Sequence, residues 1–169
     1  MKSQRDKRII ITEGNFDTEF LHKVLPVDII KESTFIIGQG YSSLISKAKS
    51  ISISSNIDIF LIMDSDTTNE FEINEKHQNI QSIFSMLGKE KQIKTFFFVP
   101  QLEVVFFQNE NFINKYFNDI NFNSIISINE LIKTKFNSRF DLLKTIDSEI
   151  LLNFQTKTDV KDLIKLLEK

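Results

Sequence analysis

The first hundred residues alternate between two kinds of segment. Short runs rich in β-branched and other apolar residues occur at Arg8–Thr12, Thr34–Ile37, Ile57–Met63 and Ile93–Val99. Between them lie stretches with helical periodicity at Asp17–Leu25, Ser42–Ile53 and Ile73–Leu87. Around the first of these, Phe16, Phe20, Leu21 and Val24 recur at helical spacing and form one apolar stripe. Near-continuous apolar strands alternating with helices predict a parallel sheet covered on both faces. Right-handed crossovers then bring the carboxyl ends of all strands to one edge, where open α/β sheets hold their ligands. The expected fold is α/β, with a four-stranded, mainly parallel, Rossmann-like sheet.

After Pro100 the pattern changes. Leu102–Phe107, Asn109–Phe117, Ile128–Phe136, Phe140–Leu152 and Val160–Leu167 read as helices joined by Asn-rich segments, with a weaker strand signal at Ser124–Ile128. The expected organisation is an α/β core over residues 1–108. A mainly helical C-terminal extension over 109–169 packs on the same domain. The Asn-rich part carries too much Phe and Ile to be a disordered linker.

Composition narrows the chemistry. The 169 residues include 17 Phe but no Cys and no Trp, so disulfide scaffolds, zinc-cysteine sites and thiol catalysis are excluded. Only His22 and His77 could supply imidazole, too few for a histidine-rich metal site. Chemistry is left to carboxylates, hydroxyls, amines and the backbone. The net charge of −2 is unevenly spread: residues 1–75 carry 8 Lys/Arg against 12 Asp/Glu, and residues 76–169 carry 13 against 11. No apolar run approaches the roughly 20 residues that span a bilayer. The polar start, Met1 to Arg8, does not resemble a signal peptide. A cytoplasmic protein without membrane attachment is expected; the sequence leaves its oligomeric state open.

The acidic surplus falls at the strand ends. The first strand runs into Glu13-Gly14-Asn15-Phe16-Asp17, where Gly14 allows a tight turn and Asp17 is a natural helix N-cap. The third ends in Asp64-Ser65-Asp66-Thr67-Thr68. Two carboxylates two residues apart repel unless a proton or cation intervenes, and hard oxygen ligands suit Mg²⁺ (or Mn²⁺). The fourth runs through Pro100-Gln101-Leu102 to Glu103, a third acidic position at the same predicted edge. Each has a plainer reading: a surface Glu in a turn, a solvated Asp-Ser-Asp cap, or a Glu favoured by the helix dipole. Their convergence from three strand ends is what points to metal-assisted phosphoryl chemistry.

These residues carry a family resemblance. Ile9-Ile10-Ile11-Thr12-Glu13-Gly14 followed by Phe60-Leu61-Ile62-Met63-Asp64-Ser65-Asp66 resembles the TOPRIM domain, in which one hydrophobic strand ends in Glu-Gly and a later one in Asp-x-Asp. Gly38-Gln39-Gly40-Tyr41-Ser42-Ser43-Leu44 and Pro100-Gln101-Leu102-Glu103 are similar to later motifs of the small and OLD-type (overcoming lysogenization defect) nuclease branch. The resemblance covers residues 8 to 108. It implies Glu13 as general acid/base or metal ligand, Asp64 and Asp66 as Mg²⁺ ligands, and Glu103 as part of a second metal site. Gly14, Asp17, Ser65 and Lys161 are secondary candidates. The absence of cysteine sets the chain apart from zinc-bearing relatives, and no Walker A loop is present. The implied activity is that of a stand-alone hydrolase, an endonuclease acting on DNA or RNA in the manner of phage-defence enzymes, with any ATPase partner on a separate chain.

Two other readings stand beside it. Asp64-Ser65-Asp66-Thr67-Thr68 also fits the D-x-D-x-T of haloacid-dehalogenase-type phosphatases, although there the nucleophilic Asp ends the first strand, not the third. The near-neutral charge also fits a non-catalytic metal- or nucleotide-binding subunit, since phosphate contacts normally dominate nucleic-acid affinity. Lys157, Lys161 and Lys165 follow helical spacing and could line a phosphate path, or could simply be solvated. The Phe96-Phe97-Phe98 and Phe106-Phe107 clusters fit strand and helix core better than base stacking.

Overall fold

The α/β expectation holds in the computed structural model, which describes residues 8–118 and 128–168. Strands β1 (Arg8–Thr12), β2 (Ser33–Ile37), β3 (Asp58–Asp64) and β4 (Ile93–Phe98) form one sheet in the order β2-β1-β3-β4, with every neighbouring pair parallel. Helices α1 (Asn15–Val24) and α2 (Val27–Lys31) join β1 to β2. Helix α3 (Tyr41–Ser54) crosses from β2 to β3, and α4 (Glu70–Ser85) with a 3-10 turn at Glu90–Gln92 leads to β4. The short α2 carries no periodic signal of its own, which is why the pattern of residues does not disclose it.

Parallel pairing needs one face filled per crossover, and the alternation along each strand supplies it. Ile9 and Ile11 of β1, Ile59, Leu61 and Met63 of β3, and Ile93 and Phe97 of β4 share one face. They pack with Leu44, Ile45 and Ala48 of α3 and Ile80 and Phe84 of α4. The alternate residues Ile10, Phe60, Ile62 and Phe98 are equally buried on the opposite face. Helices lie on both faces of the sheet.

From Val104 onward the described residues form helices: α5 (Val104–Phe107), α6 (Glu110–Tyr116), α7 (Ile128–Lys135), α8 (Phe140–Lys144), α9 (Ser148–Lys157) and α10 (Asp159–Leu167). The single helix expected over Phe140–Leu152 is two. Asp147 ends the first stretch and caps α9, its side chain accepting from the Glu149 and Ile150 amides. The weak strand signal at Ser124–Ile128 falls outside the described residues, except for Ile128, which opens α7. No helix among the described residues is long and apolar enough to cross a membrane.

By its contacts the chain divides into two units. The first holds residues 8–18 and Pro26–Leu102, and the second Glu19–Leu25 with the described residues from Glu103 on. The second unit has an aromatic core of its own. Phe20, Phe106, Phe112 and Phe154 are buried with ring centroids 5.2–5.7 Å apart, three of the four contacts edge-on. Phe98 and Phe106, 1% and 0% exposed, are therefore core residues and not stacking surfaces.

One glycine fixes how the chain leaves β2. The Gly38 amide donates to the Thr12 carbonyl at 2.6 Å. A Cβ there would stand 2.6 Å from Leu44 Cβ and 2.8 Å from that same carbonyl oxygen. Gly38→Ala must push α3 away from the end of β1, an overpacking cost of about 1–3 kcal/mol. A urea melt is expected to show that loss, and an unchanged midpoint would mean that the loop gives way without cost.

Candidate active site

The sheet order places a topological switch point between β1 and β3. The chain leaves β1 toward β2 on one side and returns through α3 to β3 on the other. Open α/β sheets bind ligands in the crevice beyond the carboxyl ends at such a point. Thr12 pairs with Ile62, so the residue after β1 is Glu13 and the last residue of β3 is Asp64. The Asp64 amide donates to Glu13 Oε1 at 3.2 Å, although 51 residues separate the two. The Glu-Gly and Asp-x-Asp segments are thus brought together across the switch point.

Each of three carboxylates takes one backbone amide. Asp64 Oδ1 accepts from the Leu102 amide at 2.8 Å. Asp17 Oδ2 accepts from the Gly14 amide at 2.8 Å. Asp17 was expected to be the N-cap of α1, but the helix begins two residues earlier. The Thr18 amide bonds the Gly14 carbonyl, so Gly14 is the cap and Asp17 reaches back to it as the acidic half of a capping box. The hydroxyls of Thr12 and Thr18 lie 2.6 Å apart beneath this turn.

On the far side of Glu13, the amides of Gln39 and Gly40 both donate to its carbonyl, at 2.9 and 3.1 Å. Gln39 has φ of 67° and Gly40 of 92°, so the Gly-Gln-Gly loop wraps the backbone of Glu13. Tyr41 follows at the start of α3. Its phenol is pushed above its ordinary pKa, first by burial and then by the charge of Glu13.

The loop after β3 is tied to the end of β4. The Ser65 amide donates to the Phe98 carbonyl at 2.9 Å and the Asp66 amide to the Pro100 carbonyl at 2.8 Å. The Val99–Pro100 bond is cis. Ser65 is fully buried, its hydroxyl donating to the Thr67 carbonyl at 2.6 Å, so its role is to shape the loop. Asp66 stands in the left-handed region with φ of 57°, and its side chain is 78% exposed. Asp tolerates that conformation better than most residues.

Lys76, on α4, was not among the residues singled out from the sequence. Its ammonium donates to the Ser65 carbonyl and lies 3.5 Å from Asp66 Oδ2. Its only sequence signal is its place in the second turn of the helix that follows Asp-x-Asp.

Comparison of the chain with family models, with curated proteins and with solved structures gives no match.

The remaining candidates lie in the second unit. The Glu103 carboxylate is buried and accepts from Arg139 at 3.0 Å, an ion pair that accounts for it structurally. Lys161 is an exposed residue of α10, and Lys165 on the same helix pairs with Asp162 at 2.9 Å. In the first unit, His77 shares a hydrogen bond with Thr95 Oγ1, 2.6 Å away, and burial lowers its pKa.

The donor set at the switch point is all carboxylate, the chemistry that suits a hard divalent cation. It is not a closed cage: among the described residues no group of three or more His, Asp or Glu is disposed to hold a metal. Magnesium ordinarily takes one or two protein carboxylates and completes its shell with water.

Glu13 carries the electrostatic strain of the site. Burial, then the nearby charges of Asp66 and Asp17, push its carboxyl above the usual 4.5, against the lowering effects of the Asp64 amide and Lys76. A raised folded pKa means that the native state binds this proton more tightly than the unfolded chain. Stability is therefore lost as pH rises through the folded value. Glu13→Gln removes that loss. In metal-free buffer the variant is expected to melt higher than wild type near pH 7 and to converge with it below pH 4.5. A lower melting temperature for the variant near pH 7 would contradict the strain assigned to Glu13.

Proposed function

We propose that this chain is a Mg²⁺-dependent nuclease of the TOPRIM type, hydrolysing phosphodiester bonds of DNA or RNA. The observation that carries the reading is the Glu13–Asp64 contact across the switch point. It unites the two motif halves at the edge where such folds bind ligands. Asp64 and Asp66 are the residues that would hold the cation, which would supply Lewis-acid stabilisation of charge on the phosphoryl oxygens.

The protein's own groups have separate tasks. Glu13 Oε1 is engaged by the Asp64 amide, so Oε2 is the oxygen that exchanges a proton. Its raised pKa brings it closer to the neutral range in which a general base works best. In hydrolysis, the water oxygen bonds to phosphorus as the ester P–O bond breaks. The water's proton passes to Oε2, and the departing oxygen takes up a proton from solvent. Asp64 is held by the Leu102 amide, and the Ser65 and Asp66 amides tie the loop that carries Asp66 to the Phe98 and Pro100 carbonyls.

One observation favours a second reading. The net charge of −2 is that observation: phosphate contacts normally dominate nucleic-acid affinity, so the site also suits a subunit that binds a cation or a nucleotide without turnover.

Cleavage of labelled DNA and RNA with Mg²⁺ or Mn²⁺ separates the two. Glu13→Gln and Asp64→Asn are each expected to lower the rate at least about a hundredfold, the order of magnitude of a lost general base. Equal cleavage by all three proteins would remove these residues from the chemistry. Cation binding by calorimetry without cleavage of any strand would establish the non-catalytic reading.

A further inference from the structure

Among the described residues, several carboxylates and one lysine are seen to meet at the switch point. Glu13, Asp17, Asp64 and Asp66 are all anions when ionised, and Glu13 senses Asp66, Asp17 and Lys76 together. A phosphodiester carries a negative charge of its own, so this edge repels it unless positive charge is present. Lys76 is the lysine that meets the loop directly. Its ammonium holds the Ser65 carbonyl, a neutral anchor, and lies 3.5 Å from Asp66 Oδ2, a loose ion pair. The side chain is 34% exposed, so part of it is open to solvent.

Two features leave this pair open to exchange. The partner carboxylate sits on a left-handed residue and is 78% exposed, so the ion pair itself adds little to stability. The lysine projects from α4, whereas the carboxylates stand on strand ends and on the turn into α1, so the cation can turn without moving them.

We propose that Lys76 is an exchangeable counter-ion of this site: it neutralises the carboxylate loop when no divalent cation is present, and it positions the substrate phosphate when one is. The inference rests on the nuclease reading and names the residue that takes a non-bridging phosphate oxygen. When a cation takes Asp66, the ammonium loses its ionic partner and keeps the Ser65 carbonyl. It is then a positioned donor with unspent charge. Lysine suits this exchange because its ammonium is a compact, rotatable charge on a flexible stem.

The test compares wild type with Lys76→Met and Lys76→Arg. Calorimetry with Mn²⁺ alone reads the first state. Fluorescence anisotropy of labelled DNA and RNA strands in Ca²⁺ reads the second. Lys76→Met is expected to bind Mn²⁺ several-fold more tightly, because a competing charge is gone. It should hold the strand about tenfold more weakly, because a charge-assisted hydrogen bond is lost. Lys76→Arg should restore strand binding. Unchanged Mn²⁺ and strand affinities in Lys76→Met would overturn the proposal. So would a joint loss of both, which marks a lysine that merely pins the Ser65 loop. Should Lys76→Met fail to fold by circular dichroism, Lys76→Gln keeps a donor for the Ser65 carbonyl and is read by the same criteria. If wild type binds no Mn²⁺ at all, the metal-site reading itself fails and this inference falls with it.

Discussion

The register between β1 and β3 is the constraint on which the carboxyl edge depends. Thr12 opposite Ile62 sets Glu13 beside the end of β3, and the Asp64 amide can then reach Glu13 Oε1. A slip of one residue would reverse every side chain on β1 and take Ile9 and Ile11 off the face they share with α3 and α4. The hydrophobic face therefore specifies the polar edge. The core residues carry none of the site's polar groups, yet their alternation decides which two acidic residues meet.

Bringing carboxylates together is unfavourable, and the fold offsets it locally. The amides of Asp64, Gly14 and Leu102 each donate to a different carboxylate, and Lys76 attends the fourth. None of these donors is a long-range charge; three are backbone groups whose direction is set by a turn. Such dipoles need no reorganisation when a ligand arrives, which is the property that makes a pre-formed site effective. They do not cancel the repulsion completely. The remainder sits on Glu13, whose carboxyl is raised by burial and by Asp66 and Asp17.

The elements that position this edge were legible because their signals are periodic or compositional. Four apolar runs gave four strands, and the Asp-Ser-Asp after seven mostly apolar residues marked the end of β3. Hydrogen-bond partners were not legible, since they depend on direction. Asp17 reads as a cap from its residue type, yet it is the cap's reciprocal partner, because Gly14 takes the cap position. Glu103 reads as one more strand-end acid, yet it is buried on Arg139, a pairing across 36 positions that no local pattern announces. Lys76 was passed over for the opposite reason: a single lysine on an amphipathic helix is the commonest of surface features. Only its contact with the Ser65 carbonyl sets it apart.

Net charge is a poor guide to what a phosphate would meet here. The chain as a whole carries −2, but its carboxyl edge sets Glu13, Asp17, Asp64 and Asp66 against Lys76. On the proposed reading, a nucleic acid cannot be recognised by that edge until a cation has reversed the local field, because a bound ion is the largest charge in such a site. Binding is then ordered, cation before strand. The affinity for the strand is set by the cation's occupancy more than by the protein's own basic residues. A weakly acidic chain is, for that reason, compatible with phosphodiester chemistry at this one place on its surface.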